Sequence, residues 1–93
     1  MSRAHQLFGT VAQFYEQGGK WGQGPHYTRA ADSYCISEVV IQFTNAASDP
    51  LLDAEASHLW REKMGCDYVA YNDVQGRTKE QVIDVCNWLS EGV

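Results

Sequence analysis

Nothing in these 93 residues matches the Cys-x-x-Cys, His-Glu-x-x-His, phosphate-binding-loop or dinucleotide-binding glycine motifs. The common zinc, nucleoside-triphosphate and nicotinamide classes therefore lose their usual signatures, and no cofactor is expected. Cysteine is sparse as well: Cys35, Cys66 and Cys86 are odd in number and far apart, which excludes a paired disulfide framework. Reduced thiols and a cytoplasmic location are expected from that usage. No apolar run approaches the roughly 18 residues that a membrane helix needs, and "MSRAHQLFGTVAQF" has no signal-peptide core, so no membrane partner is expected. Positive charge is short too. Seven Lys and Arg stand against twelve Asp and Glu, net -5, which disfavours non-specific nucleic-acid binding.

What is present describes an ordinary globular chain: 44% hydrophobic and 12% aromatic residues with 20% charged. The length sets a single domain over residues 1–93, near the size at which a core buries about two thirds of the unfolded surface. A large enclosed active site has little room here.

Periodicity predicts four helices. Ala4, Leu7, Phe8, Val11, Ala12 and Tyr15 recur at helical spacing, with Ser2 as N-cap and Gly18-Gly19 as the stop. A second stripe, Cys35, Ile36, Val39, Val40 and Phe43, follows Asp32 and Ser33 as caps. A third helix starts at Ser48-Asp49-Pro50, carries Leu52, Ala56, Leu59, Trp60 and Met64, and ends at Gly65. The fourth opens on the capping box Thr78-Lys79-Glu80-Gln81 and buries Val82, Ile83, Cys86 and Leu89. The fold class is all-α or mostly α, a compact four-helix domain with a long Gly-rich loop over residues 19–32 after the first helix. "DYVAY", residues 67–71, has an extended look and is a candidate to pair with "HYTRA", residues 26–30, as a minor two-stranded ribbon.

Two stretches carry more chemistry than folding requires. "YNDVQGRT", residues 71–78, reads first as a turn: Gly76 supplies a positive φ, Asn72 or Asp73 closes an Asx-turn and Thr78 caps. Tyr71 and Arg77 are left over. Arg77 beside a helix N-terminus suits an anion, although an ion pair with Asp73 is the more ordinary expectation. In "WGQGPHY", residues 21–27, glycines flank Gln23, while Trp21 and Tyr27 offer stacking faces. Lys20 and Arg29 make residues 19–31 locally positive, a hint of an anionic ligand. Cys35 at a helix start, with His26 and Gln23 upstream, raises a cysteine hydrolase, but its place in an apolar stripe favours a core role. His5 and the His58/Glu62 pair read as solvated helix faces and not as metal ligands.

Trp21-x-Gln23-Gly24 after the first helix, Cys35 opening the second, and Tyr71-Asn72-Asp73-x-x-Gly76-Arg77-Thr78 before the last, with Val82 following, resemble a family of small proteins from actinobacteria and their phages, known only as a domain of unknown function. Glu38 and Val39 stand where that family carries glycine and alanine, and Lys20 is an insertion before Trp21. The resemblance implies a mostly helical single domain and a phage or bacterial setting, with host cytoplasm as its location if phage-encoded. It brings no activity with it.

The expected function is a non-enzymatic binding module whose ligand residues are Trp21, Gln23, Tyr27, Arg29, Tyr71 and Arg77. Aromatics would stack on a base, the two arginines would neutralise phosphate and Gln23 would read an edge. In the setting the resemblance implies, this becomes a sponge for an anionic nucleotide signal, such as a cyclic nucleotide, countering host immunity and sharing its ligand across a homo-oligomer. The alternatives are a protein-interaction or inhibitor module with an acidic surface, directed at a nucleic-acid-binding host protein, and a small cysteine hydrolase.

Overall fold

The computed structural model describes residues 2–25, 29 and 32–93. Along the chain run α1 (Arg3–Glu16), β1 (Lys20–Trp21), β2 (Ser33–Tyr34), α2 (Ile36–Ala46), α3 (Pro50–Met64), α4 (Tyr68–Asn72) and α5 (Lys79–Ser90). The protein is mostly helical, with four long helices, a short one and a two-stranded parallel ribbon among the described residues.

α1 forms where its apolar spacing predicts, and all six of its stripe residues are buried. Ser2 caps it by accepting the His5 N–H, and the chain leaves it through Gly18 at φ 104°. Gly19 then folds back tightly, its N–H donating to the Phe14 carbonyl at 2.9 Å. A Cβ at position 19 would lie 2.4 Å from the Phe14 ring and 2.6 Å from the Phe14 carbonyl oxygen, and that oxygen is backbone. Gly19→Ala should therefore cost about 2 kcal/mol, as overpacking against backbone does. Urea unfolding would show it as a lower midpoint with an unchanged slope.

α1 lies between α5, its most extensive partner, and α3, and α2 closes the core against α3 and α1. Two aromatic groups organise this core, one inside it and one packed largely against its edge. Trp60, fully buried, packs its ring 5.6 Å from Phe8, 5.2 Å from Tyr68 and 5.3 Å from Tyr71. Phe14 meets Tyr15, Tyr34 and Phe43 edge-on at 5.3, 5.8 and 6.2 Å. Edge-on contact sets the positive rim of one ring against the negative face of the next.

α3 and α5 start and stop as their caps dictate. Asp49 accepts the Leu52 N–H at 3.0 Å, Pro50 opens α3, and Gly65 ends it at φ 75°. Thr78 and Gln81 form the reciprocal capping box of α5. Two expectations are corrected. α2 is capped at Cys35, not at Asp32 or Ser33: Ser33 belongs to β2, and Glu38 accepts the Cys35 N–H at 2.9 Å. "DYVAY" is no strand. Asp67 accepts the Ala70 N–H at 2.8 Å and starts α4, whose Tyr68 and Tyr71 pack on Trp60.

The ribbon is made elsewhere, by Lys20 opposite Ser33 and Trp21 opposite Tyr34, running parallel. Of "HYTRA", residues 26–28 and 30 lie outside the described residues. The ribbon returns the loop after Trp21 to the start of α2, which places both beside the end of α4. Among the described residues no helix is long and apolar enough to cross a membrane.

Candidate functional site

Two motifs separated by about fifty residues meet at Asn72, which is wholly buried at the end of α4. A buried carboxamide must satisfy two donors and two acceptor lone pairs, and this one does so completely. Its Oδ1 accepts from Trp21 Nε1 at 2.7 Å and from the Ile36 N–H at 3.2 Å. Its Nδ2 donates to the Gly22 carbonyl at 2.9 Å and to Asp73 Oδ1 at 3.0 Å. Asn72 therefore ties the loop after β1 to the first turn of α2, supplying an acceptor to one of that helix's unpaired N–H groups.

Gln23 and Gly24 extend the junction. Gln23 Nε2 donates to the carbonyl oxygens of Asn72 at 3.0 Å and Val74 at 2.7 Å. The Gly24 N–H donates to Asp73 Oδ1 at 2.9 Å. Gly22 has to be small, since a Cβ there would sit 2.7 Å from Ser33 Oγ. The carboxamide expected to read a base edge instead reads two backbone carbonyls.

Arg77 and Tyr71 form a separate pair. The guanidinium lies 3.7 Å from the centre of the Tyr71 ring, Nε donates to the Tyr71 carbonyl at 3.1 Å, and Nη1 donates to Gln81 Oε1 at 3.3 Å. This cation–π stack replaces the ion pair expected with Asp73, whose carboxylate faces Gly24 and Asn72. The Trp21 loop thus reaches Asn72, Asp73 and Val74, while Tyr71 and Arg77 engage each other. Tyr27 lies outside the described residues.

The Arg29 side chain is only 5% exposed, its Nη1 2.5 Å from Glu38 Oε1. The Arg29 guanidinium, and after it the Cys35 N–H, hold the Glu38 carboxyl well below the usual range, at about 2. A depressed carboxylate contributes stability above its unfolded pKa and loses it as pH falls through the folded value. Glu38→Gln should accordingly cost about 2 kcal/mol at pH 7, a figure discounted for partial exposure. The gap between variant and wild type should close from about pH 5 down to about pH 2, read from urea midpoints across pH.

Beside this ion pair opens a cleft of about 380 Å³, walled by Gly24 and Pro25 on one side and by Cys35, Val69 and Asp73 on the other. Its charges are Arg29 against Glu38 and Asp73. Burial, the largest influence, pushes the Cys35 thiol up, and Cys86 is pushed up by burial to about 12. A raised thiol pKa agrees with the core role expected for Cys35 over the nucleophile alternative, and His26 lies outside the described residues. Iodoacetamide at neutral pH should label Cys35 and Cys86 far more slowly in the folded than in the urea-unfolded protein. Equal rates at Cys35 would contradict this.

A second groove of about 440 Å³ runs between α2, α3 and α4, and Val69 forms part of the wall of both. The sequence does not show it, because residues 67–71 have an extended look there and Ile41 lies outside the expected helical stripe. His58 and Glu62 are a solvated pair at 3.4 Å. Among the described residues no three His, Cys, Asp or Glu cluster as metal ligands would. Comparison with models of known protein families, with curated proteins and with solved structures finds no match.

Proposed function

We propose that this chain is a non-enzymatic protein-binding module that engages a basic surface on its partner. One observation carries the reading: the two cations that a bound phosphate would need are already engaged, Arg29 by Glu38 and Arg77 by the Tyr71 ring and carbonyl. What remains in each depression is one carboxylate in excess, Asp73 beside the Arg29–Glu38 pair in one and Asp53 with Asp67 against Arg61 in the other. On a chain of net charge -5, such sites attract lysine and arginine and repel phosphate. The resemblance to a family of actinobacteria and their phages fits an inhibitor that occupies a nucleic-acid-binding surface of a host protein.

Sequestration of a cyclic nucleotide, the other reading of the same motifs, asks more. Arg29 would have to give up Glu38, Arg77 would have to leave Tyr71, and a second copy would have to complete the pocket. Selection of a random peptide display library on the folded protein separates the two readings, followed by calorimetry with the selected peptides and with a panel of cyclic mono- and dinucleotides. Enrichment of Lys/Arg-bearing peptides whose Kd rises with salt is the expected result. Heat from a cyclic nucleotide, with no basic peptide enriched, would overturn it.

A further inference from the structure

The reading above leaves open where the partner sits, and the groove between α2, α3 and α4 has the features of such a seat. Isolated exposed apolar side chains are common and mean little. Here Ile41 of α2, 45% exposed, and Val69 of α4, 52% exposed, line one groove from different helices, and Pro50 and Ala54 of α3 line it too. Their neighbours Val40 and Tyr68 face the core, so both helices are already anchored and need neither residue for folding. An apolar strip rimmed by polar groups is the usual form of a contact site.

The rim gives the sign of the partner. Asp53 and Asp67 line the groove with the strip and outnumber Arg61, the single cation among the described residues that line it. Asp67 already accepts the Ala70 N–H, and Asp53 lies in the first turn of α3. Tyr68 adds a second, independent mark. The residue lines the groove at 8% exposed, and its hydroxyl has no hydrogen-bond partner among the described residues, whereas buried hydroxyls in folded proteins generally find one. Burial pushes that phenol up first, and the Asp53 charge pushes it further.

We infer that this groove is the seat of the basic partner segment, with one bulky apolar side chain between Ile41 and Val69 and flanking Lys or Arg over Asp53 and Asp67. The inference rests on the reading of the chain as a module for basic partners, and it adds the site and the apolar anchor. At about 440 Å³ the groove accepts a side chain, not a folded domain, so the partner enters as a protruding segment.

The test uses a Lys/Arg-bearing peptide from the selection, titrated into the isotope-labelled full chain and into four variants. Amide shifts should concentrate in residues 37–41, 53–61 and 67–69. Val69→Glu should weaken binding at least tenfold and Asp53→Lys at least fivefold, while Trp88→Glu on the exposed face of α5 should stay within twofold. Val69→Thr, nearly isosteric, should weaken it about threefold and guards against misfolding of the glutamate variant. Binding that survives all groove substitutions, or shifts that centre elsewhere, overturns the groove and leaves the basic-partner reading standing. Failure of any basic peptide to bind the wild type overturns both.

Discussion

Replacing Asn72 with alanine should lower the thermal midpoint by about 20 °C, the largest polar effect in the molecule. The substitution strands Trp21 Nε1 and the Ile36 N–H without an acceptor and the Gly22 carbonyl without a donor. Leaving a buried polar group unsatisfied costs about 1–3 kcal/mol, so three of them amount to about 4 kcal/mol. In a domain of this length each kcal/mol moves the midpoint by about 4–8 °C. Asn72→Asp sharpens the test. It keeps the shape but removes the donor to Gly22 and sets a carboxyl beside Asp73, so burial and like charge raise the introduced group's folded pKa. A raised carboxyl is tolerated below its unfolded pKa and becomes destabilising as pH rises through the folded one. The deficit of this variant should therefore shrink on acidification and be smallest below about pH 4. Melting curves from pH 3 to 8 would show it, and a pH-independent deficit would contradict the assignment.

Trp60→Ala should cost a similar amount, about 4 kcal/mol, for a different reason. The ring is fully buried and contacts Phe8, Tyr68 and Tyr71, so its removal leaves a cavity that α3 and α4 cannot collapse into without moving. Trp60→Phe is the informative companion. Trp60 Nε1 has no hydrogen-bond partner among the described residues. Phenylalanine therefore removes a desolvated donor along with some packing, and the two effects oppose each other. We expect a loss under about 1.5 kcal/mol for Trp60→Phe, measured by urea unfolding. A loss as large as that of alanine would mean that the indole N–H is satisfied.

Where local chemistry decides the structure, the sequence was readable. Ser2, Asp49-Pro50, Gly65 and the Thr78/Gln81 box each mark a helix end by a bond made within four residues, and each stands where its residue type predicts. "DYVAY" failed as a strand because five residues are too few to show a helical period. Its conformation is set by the Asp67 cap and by Trp60, which reaches it from another helix. The ribbon failed likewise, since the pairing of Lys20 with Ser33 depends on how a loop closes and not on either dipeptide.

The two motifs were legible as unusual and illegible as partners. Trp21, Gln23 and Gly24 carry donors, and Asn72, Asp73 and Val74 carry the matching acceptors, but nothing in one sequence pairs residues fifty positions apart. Asn72 itself was read as a turn former, its commonest role. The available signal was its position directly after Tyr71 and four residues after Tyr68, where a buried helix face should continue. Arg77 was read toward an acid because charge is visible in a sequence, whereas the ring face of Tyr71 is presented only once α4 forms.

The distance along the chain between Trp21 and Asn72 also bears on time. Bonds between segments so far apart pay the closure cost of the chain between them, so the Asn72 junction is expected to close late, which a φ-value near zero for Asn72→Ala would show. Interactions absent from the folding barrier act almost wholly on the rate of escape from the native state. The junction is in that sense a brake on unfolding: it sets how long the folded chain persists more than how quickly it forms.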